Sequence, residues 1–223
     1  MPLVIANGTL EALKWIALAL MTLDHVNKYL WDYRMPVLFA LGRIAMPLFV
    51  FVLAYNLARP GALMGGVFRR TAMRLALYGG LACVPFIALG KVYGGWWPLN
   101  ILCTLLVATL VIGLIERGGR LRITAAIAMF IVGGGLVEYW WFAVALTVAC
   151  WRYCKQPSLV RLGAMVGCIA ALWPLNQNLW AFGALPLILG VPYVALSIPR
   201  RAVFFYAYYP AHLGVLFVLS LYR

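Results

Sequence analysis

Polar side chains inside an otherwise apolar stretch are the residues of this sequence best suited to chemistry. Asp24 and His25 are adjacent, and Asn27 and Lys28 follow within one helical turn, all within residues 10–31. A charged residue at the centre of a membrane-spanning helix costs about 2.5–3.5 kcal/mol on insertion scales. Charges that are kept at this cost usually serve a function, so the stretch indicates a polar pocket walled by helices.

The composition of the chain predicts an all-α, polytopic integral membrane helix bundle. Of the 223 residues, 66% are hydrophobic and only 10% are charged, and the mean hydropathy is +0.97. A soluble domain carries about 25% charged residues. Apolar runs long enough to cross a bilayer recur from end to end. We expect a single integral membrane domain over residues 1–223, with about nine transmembrane helices, between about eight and ten.

The pattern of apolar runs and turns predicts where these helices lie. They are expected at residues 10–31, 37–58, 74–90, 98–115, 162–173, 181–197 and 203–222, with two more in 123–154 that are separated near Gly133 and Glu138. Thr9 is the predicted N-cap of the first helix. Gly163 and Gly167 form a GxxxG spacing, which predicts a close contact between helices.

The net charge of +13 is explained by topology rather than by nucleic-acid binding. The basic residues lie in short loops, without a basic stripe or a nucleic-acid motif, so no nucleic-acid partner is expected. The turns after the second, fourth, sixth and eighth helices hold most of them: Arg59, Arg69, Arg70, Arg74, Arg117, Arg120, Arg122, Arg152, Lys155, Arg161, Arg200 and Arg201. The positive-inside rule then places the N terminus in the cytoplasm and the C terminus outside. Binding of an anionic cofactor by the same loops is the alternative.

Helical rise places the charges of the first two helices at similar depth. Asp24 lies about 21 Å along the first helix from its cytoplasmic end, and Arg43 about 10 Å down the second from its outer end. An ion pair between Asp24 and Arg43 would neutralise both buried charges. Pairing of Asp24 with Lys28, one turn further along the same helix, is the structural alternative.

His25 is the candidate base of the first helix. It is about 100° around the helix from Asp24, so a helix that turns Asp24 to Arg43 turns His25 to another neighbour. A neutral imidazole can take a proton from a nucleophile and return it, while Asp24 or Arg43 orients the site or stabilises an oxyanion. The alternative is a packed histidine that donates to a carbonyl one turn back.

Further polar candidates lie in the later helices. His212 follows Pro210 in the last helix, near Tyr209 in the sequence, and Asn100 lies just inside the outer end of the fourth helix. The five cysteines lie in or beside apolar segments without metal-ligand spacing, so neither a disulfide framework nor a metal site is expected. Hydrolase, nucleotide-binding and metalloprotease motifs are absent from the sequence.

Several short motifs in order resemble the TraX family of conjugation proteins, including its TrbP-like members. LKWIALALMTLDHVNKYL is followed by LGRIAMPLFVFVLAYNLAR, which joins Asp24 and His25 to an Arg-x-Ala-x-Pro-Leu-Phe pattern that begins at Arg43. NILCT from Asn100 and YPAHL from Tyr209 resemble later motifs of the family. The resemblance covers nearly the whole chain.

The resemblance implies a multi-pass acetyltransferase of the bacterial inner membrane that N-acetylates a conjugative pilin precursor. His25 would be its catalytic base or transient acyl carrier, with Asp24 and Arg43 as partners. Acetyl-CoA, as co-substrate, would dock at Arg59, Arg69, Arg70 or Arg74. His212, Asn100 and Tyr209 would bind substrate, Arg43 or Asn100 would hold the oxyanion, and membrane lipids would surround the chain.

Other functions stay open from the sequence. An O-acyltransferase acting on a lipid-linked or surface glycan would need the same pocket. A non-catalytic protein of pilin processing or assembly would use the buried ion pair only as structure. A proton-linked transporter is a third possibility, although no clear internal repeat is visible.

Overall fold

The computed structural model describes residues 2–222, and helices dominate this part of the chain. The α-helices are α1 (Asn7–Leu30), α2 (Pro36–Gly42), α3 (Ala45–Ala58), α4 (Val67–Ala88), α5 (Ile101–Arg117), α6 (Arg120–Leu136), α7 (Trp140–Lys155), α8 (Leu159–Ala170), α9 (Trp173–Asn176), α10 (Ala184–Gly190) and α11 (Ala202–Ser220). Short 3-10 helices, Trp180–Gly183 and Val191–Tyr193, flank α10. No named strand occurs within residues 2–222, which confirms the all-α prediction.

The helices group into nine segments over the described residues, because α2 adjoins α3, α8 adjoins α9, and α10 is continuous with its flanking 3-10 helices. The predicted separation of the two helices in 123–154 is confirmed: α6 ends at Leu136, and α7 begins at Trp140 after Tyr139 at φ 60°. A left-handed φ at a bulky residue interrupts a right-handed helix, which accounts for the break.

Proline explains an interruption that the sequence prediction missed. Residues 37–58 were expected to form one helix, whereas α2 ends at Gly42 and α3 begins at Ala45. Pro47 has no amide hydrogen to donate to the carbonyl of Arg43, four residues earlier, and its ring crowds that carbonyl. Arg43 and Ile44 keep right-handed helical dihedral angles. The two helices therefore run in the same direction, and the series of backbone hydrogen bonds is interrupted at Arg43.

The core lies around α3. Twelve of its 14 residues are buried, and it packs against α1 on one side and α7 on another. Helix α11 packs against α1 and α4, and α5 packs against α4, α6 and α7. Helix α6, with only Ala126 and Gly134 buried, lies at the periphery.

Four helical segments are long and apolar enough to cross a bilayer among the described residues. They are Pro36–Ala58, Val67–Ala88, Leu159–Asn176 and Ala202–Ser220. Helix α1 has 24 residues but carries the charges discussed above, and α5, α6 and α7 have 16 or 17 residues each. The membrane assignment, nine spans and a cytoplasmic N terminus stay predictions.

The expected helix at 181–197 is wrong at its C-terminal end. Helical structure stops at Tyr193, and residues 194–201 are non-helical. Prolines 192 and 199 each lack the amide hydrogen that a helix needs, and they restrict the residues before them. The hydroxyl of Thr9 donates to the Val194 carbonyl (2.7 Å) and accepts from the Leu196 amide (3.1 Å). Thr9 is therefore a tether for this segment and not the predicted N-cap, because α1 already begins at Asn7.

Two further expectations differ from the structure. Arg69 and Arg70 lie in the first turn of α4 rather than in a loop, because that helix begins seven residues earlier than expected. No heavy atom lies within 4 Å of a Cβ built at Gly163 or Gly167. The GxxxG spacing of α8 therefore makes no close helix contact within the described chain.

Candidate active site

The Asp24–Arg43 ion pair predicted from the sequence is present. The Arg43 Nη2 donates to Asp24 Oδ2, and Asp24 is only 6% exposed. Gly42 makes this contact possible, since a Cβ at that position would lie 2.4 Å from Asp24 Cβ. Lys28 forms no ion pair in the described part of the chain; its ammonium lies 4.9 Å from the centroid of the Tyr29 ring. The alternative Asp24–Lys28 pair is therefore not formed.

Arg43 is held by more than its carboxylate partner. Its Nε donates to the Phe39 carbonyl (3.1 Å), its Nη1 donates to the Tyr139 hydroxyl (3.2 Å), and its guanidinium carbon lies 4.3 Å from the centroid of the Phe39 ring. The three contacts come from two elements, α2 and the α6–α7 turn. A planar guanidinium with five donors suits this divided coordination.

His25 faces α11, on a different side of α1 from Arg43. Its Nδ1 lies 2.7 Å from Nε2 of His212, and the two rings are within 10° of parallel. His212 Nδ1 lies 3.1 Å from the Tyr208 carbonyl oxygen. The expected divergence of Asp24 and His25 is confirmed. The packed-histidine pattern, a bond to a carbonyl one turn back, belongs to His212.

A charged cavity of about 70 Å³ lies beside His25. We use this name for the space lined by Asp24, His25, Lys28, Arg43, Glu138 and Tyr139, together with apolar residues of α1, α3 and α5. One carboxylate oxygen here, Asp24 Oδ1, is buried without a hydrogen-bond partner. The cavity thus combines a histidine with carboxylates and cations, as general acid–base chemistry on a polar substrate requires.

An apolar cavity of about 150 Å³ adjoins it. This second space lies between α1, α3, α4, α5 and α11 and is lined mainly by aliphatic and aromatic side chains. Its lining includes three cations, Lys14, Arg74 and Arg200. Met21, Phe49 and Ile101 line both cavities. The shared walls place the apolar cavity next to the charged one.

One face of α1 joins the two cavities. Lys14, Leu18 and Met21 line the apolar cavity, and Met21, His25 and Lys28 line the charged cavity. The intervals of four, three, four and three residues keep these side chains on one side of a helix. This spacing is visible in the sequence and could have identified Lys14 and Lys28 as site residues.

The comparisons with known proteins agree with the motifs. The model of the family described as "TraX protein" matches residues 9–220. The chain belongs to the TraX family. It is 30% identical to "Protein TraX" of Escherichia coli and 28% identical to "Protein TraX" of Escherichia coli strain K12. Both alignments cover 98% of this chain and 90% of the relative. No solved structure matches the chain.

Asn100, expected to contact substrate in this TraX-family chain, caps α5. Its Oδ1 accepts from the Leu102 amide (3.1 Å), and its Nδ2 donates to the Gly79 carbonyl (2.9 Å) and to Cys83 Sγ (3.2 Å). It is fully buried and lines neither cavity. Its amide is engaged in holding α4 to α5, which leaves no donor directed at His25.

Tyr209 and His212 lie on α11 beside His25 in this TraX-family chain, and of the two only Tyr209 lines a cavity, the apolar one. The Tyr209 ring is 6.1 Å from the His25 ring and 5.4 Å from the His212 ring, centroid to centroid. Its hydroxyl is buried without a hydrogen-bond partner, and the residue lines the apolar cavity. An unpartnered buried hydroxyl is costly, and it is a polar group that a ligand could satisfy.

The basic residues expected to bind a cofactor separate into two groups. Arg74 lines the apolar cavity, whereas Arg59, Arg69 and Arg70 line neither cavity. Arg59 instead donates to the side chain of Asn7. The sequence analysis did not identify Lys14, Arg200 or Glu138 as site residues, although all three line a cavity. In residues 2–222, no cluster of three or more histidine, cysteine or carboxylate side chains that could hold a metal is found.

Proposed function

We propose that this TraX-family protein is a membrane-embedded acetyltransferase. It would move acetyl from cytoplasmic acetyl-CoA to the N-terminal amine of a conjugative pilin subunit. Membership of the TraX family supports a role in conjugation, and the acetyl-transfer reaction is proposed by resemblance. We also propose a multi-pass location in the bacterial inner membrane, which is supported by the apolar composition and by the four helical segments long enough to cross a bilayer.

The observation that carries the proposal is the adjacency of the two cavities. A transferase must bring a donor and an acceptor to one reactive side chain. Here an apolar cavity with cations in its lining shares Met21, Phe49 and Ile101 with a charged cavity that contains His25. The arrangement supports a donor that approaches from the apolar side and an acceptor that occupies the charged side.

The apolar cavity suits a CoA thioester. Lys14, Arg74 and Arg200 would hold the phosphates, since cations with multiple donors bind phosphate oxygens. The apolar wall would contact the pantetheine arm, and the unpartnered Tyr209 hydroxyl would donate to one of its amide carbonyls. Bound acetyl-CoA supplies an activated acetyl group through its thioester.

The charged cavity suits a cationic amine. Glu138 and Asp24 Oδ1 would attract the ammonium form of the acceptor, which would release one proton to water to give the neutral amine that attacks. His25 would accept the proton that the amine loses as its nitrogen bonds to the acetyl carbon. It would then return this proton to the sulfur once the carbon–sulfur bond breaks. Lys28 and Arg43 would place positive charge near the developing oxyanion, a role that Asn100 is not positioned to take.

The test uses purified protein in lipid nanodiscs with acetyl-CoA and a peptide that carries the mature N terminus of the cognate pilin. We expect acetylation of the peptide, read as the mass of one acetyl group. His25→Ala should lower the rate by at least about a hundredfold, because a general base contributes roughly 10²–10⁴-fold. Leu23→Ala is the control, since Leu23 lies on the same helix and is 43% exposed.

Other outcomes would redirect the assignment. An equal rate in His25→Ala would remove this residue from the mechanism. Acetylation of a glycan hydroxyl in preference to the peptide would favour the O-acyltransferase alternative. Failure to bind or hydrolyse acetyl-CoA would contradict an enzyme and favour a non-catalytic role in pilin assembly.

A further inference from the structure

The two histidines of this protein and a backbone carbonyl form one continuous series of hydrogen bonds. His25 Nδ1 lies 2.7 Å from His212 Nε2, and His212 Nδ1 lies 3.1 Å from the Tyr208 oxygen. The two rings are nearly parallel, at 10°. The partners are 187 residues apart in sequence, on α1 and α11. The contact between His25 and His212 therefore depends on tertiary packing, whereas the contact between His212 and Tyr208 lies within α11.

The carbonyl oxygen determines where the protons lie. A carbonyl oxygen only accepts hydrogen bonds, so His212 Nδ1 must carry a hydrogen and donate it. In neutral His212 the other nitrogen, Nε2, then has a lone pair and can only accept. His25 Nδ1 must supply the hydrogen of the 2.7 Å contact. In neutral His25 the remaining nitrogen, Nε2, is left without a hydrogen.

We infer that His212 is a positioning residue that holds His25 in the tautomer whose Nε2 is the basic nitrogen available to the charged cavity. The inference rests on the proposed function and assigns His212 a role in it other than substrate binding. His25 lines the charged cavity and His212 does not. His25 Nδ1, which is hydrogen-bonded to His212, is thus directed away from the cavity. His25 Nε2, which carries no hydrogen, is left to accept a proton from the substrate.

The surroundings hold the pair in this arrangement. His212 is 8% exposed and stacks on the Tyr208 ring at a centroid distance of 5.1 Å. The Tyr208 hydroxyl in turn lies 2.9 Å from Thr22 Oγ1, which joins α11 to α1 a second time, one turn from the histidines. The orienting partner of a catalytic histidine fixes both ring direction and tautomer.

The group that accepts the hydrogen bond of His212 is an uncharged backbone carbonyl and not a carboxylate. A carboxylate behind the second histidine would favour an imidazolium, which cannot act as a base. The carboxylate adjacent to His25 in sequence, Asp24, is paired with Arg43 instead. The series of hydrogen bonds therefore ends at the neutral carbonyl of Tyr208, which selects a tautomer without adding a negative charge.

The test reads the tautomer directly. The sequence holds only two histidines, so ¹⁵N-histidine labelling of the protein in nanodiscs produces signals from two imidazoles. We expect His25 to carry its hydrogen on Nδ1. His212→Gln should produce a second His25 population protonated at Nε2, because an amide can donate as well as accept. His212→Glu, which is isosteric with His212→Gln, only accepts when ionised and should retain the hydrogen on Nδ1, although its negative charge also favours the imidazolium form of His25.

Activity should follow the tautomer. In His212→Gln we expect kcat for acetyl transfer to fall roughly 10- to 100-fold, as for other groups that orient a histidine, with KM for acetyl-CoA unchanged. His212→Glu should recover most of that loss only at alkaline pH, where His25 is neutral despite the adjacent carboxylate. A hydrogen on Nε2 of His25 in the unsubstituted protein would overturn the inference, as would an unchanged tautomer and kcat in His212→Gln. Lack of acetyl transfer by the unsubstituted protein contradicts instead the proposed function, and the labelling experiment separates the two failures.

Discussion

At the scale of single residues, two adjacent side chains serve different neighbours. Asp24 is directed to Arg43, and His25 is directed to His212. The carboxylate neutralises a buried guanidinium and is not free to act on the imidazole. A buried charge without its partner is strongly unfavourable, so loss of either partner alone should destabilise the protein and alter the charged cavity.

Removal of one partner of this pair should be worse than removal of both. Arg43→Gln leaves Asp24 buried and unpaired, so we expect a loss of about 3–5 kcal/mol in the free energy of unfolding. The double variant with Asp24→Asn and Arg43→Gln should regain a large part of that loss. Denaturant titration in mixed micelles, followed by tryptophan fluorescence, measures both. A loss in the double variant as large as that of Arg43→Gln, or larger, would contradict the idea that the unpaired Asp24 charge causes the destabilisation.

At the scale of elements, the α2–α3 junction is built to present Arg43. Pro47 cannot donate a backbone hydrogen bond to the Arg43 carbonyl. Gly42 lets the end of α2 approach α1. The Arg-x-Ala-x-Pro spacing therefore has a structural role at this junction. It places the cation at a point where its carboxylate, carbonyl and hydroxyl partners converge.

A methyl group at Gly42 should disturb this junction. A Cβ there would lie 2.4 Å from Asp24 Cβ and 2.5 Å from Asp24 Cγ, so α1 and α2 would have to separate. We expect Gly42→Ala to cost about 1–3 kcal/mol of unfolding free energy and to lower acetyl transfer. Gly80→Ala is the matched control, because a Cβ at Gly80 of α4 meets nothing within 4 Å. It should be neutral or stabilise the protein by up to about 1 kcal/mol. Similar effects of the two substitutions would remove the steric explanation.

At the scale of the whole molecule, the apolar cavity exists only because five helices surround it. Its cations come from α1, α4 and the segment before α11, which are far apart in sequence. Loop basicity alone pointed to Arg69 and Arg70, which line neither cavity. The positive-inside rule reports the side of the membrane on which a basic residue lies, and not the space that it faces.

The cavity cations should affect acetyl-CoA binding more than other basic residues do. Arg74→Gln and Arg200→Gln should each raise KM for acetyl-CoA by up to about fivefold, equivalent to an exposed ion pair of roughly 1 kcal/mol. The difference should shrink at high salt, since exposed charges are screened. Arg122→Gln, an exposed arginine that lines neither cavity, is the control. Equal shifts in all three variants would indicate only a general surface-charge effect.

Much of the fold and part of the site could be predicted from the sequence. Apolar runs located the nine helical segments, and charge compensation in an apolar setting paired Asp24 with Arg43. Helical angle separated His25 from Asp24. These predictions succeeded because they depend on local geometry and on the cost of an unpaired buried charge. The helix end near Tyr193 was missed because the apolar run continues through residues 194–196. The backbone there is instead extended and hydrogen-bonded to the Thr9 hydroxyl.

The sequence by itself determined that one face of α1 carries Lys14, Met21, His25 and Lys28, since the helical repeat decides which side chains share a face. Only the tertiary structure decided what that face meets. The contact of His25 with His212, the position of Glu138 in the charged cavity and the engagement of Asn100 as a cap all depend on how separate helices are rotated and packed. Spacing along one helix carries no information about that rotation, so the site's partners are set by packing across the bundle.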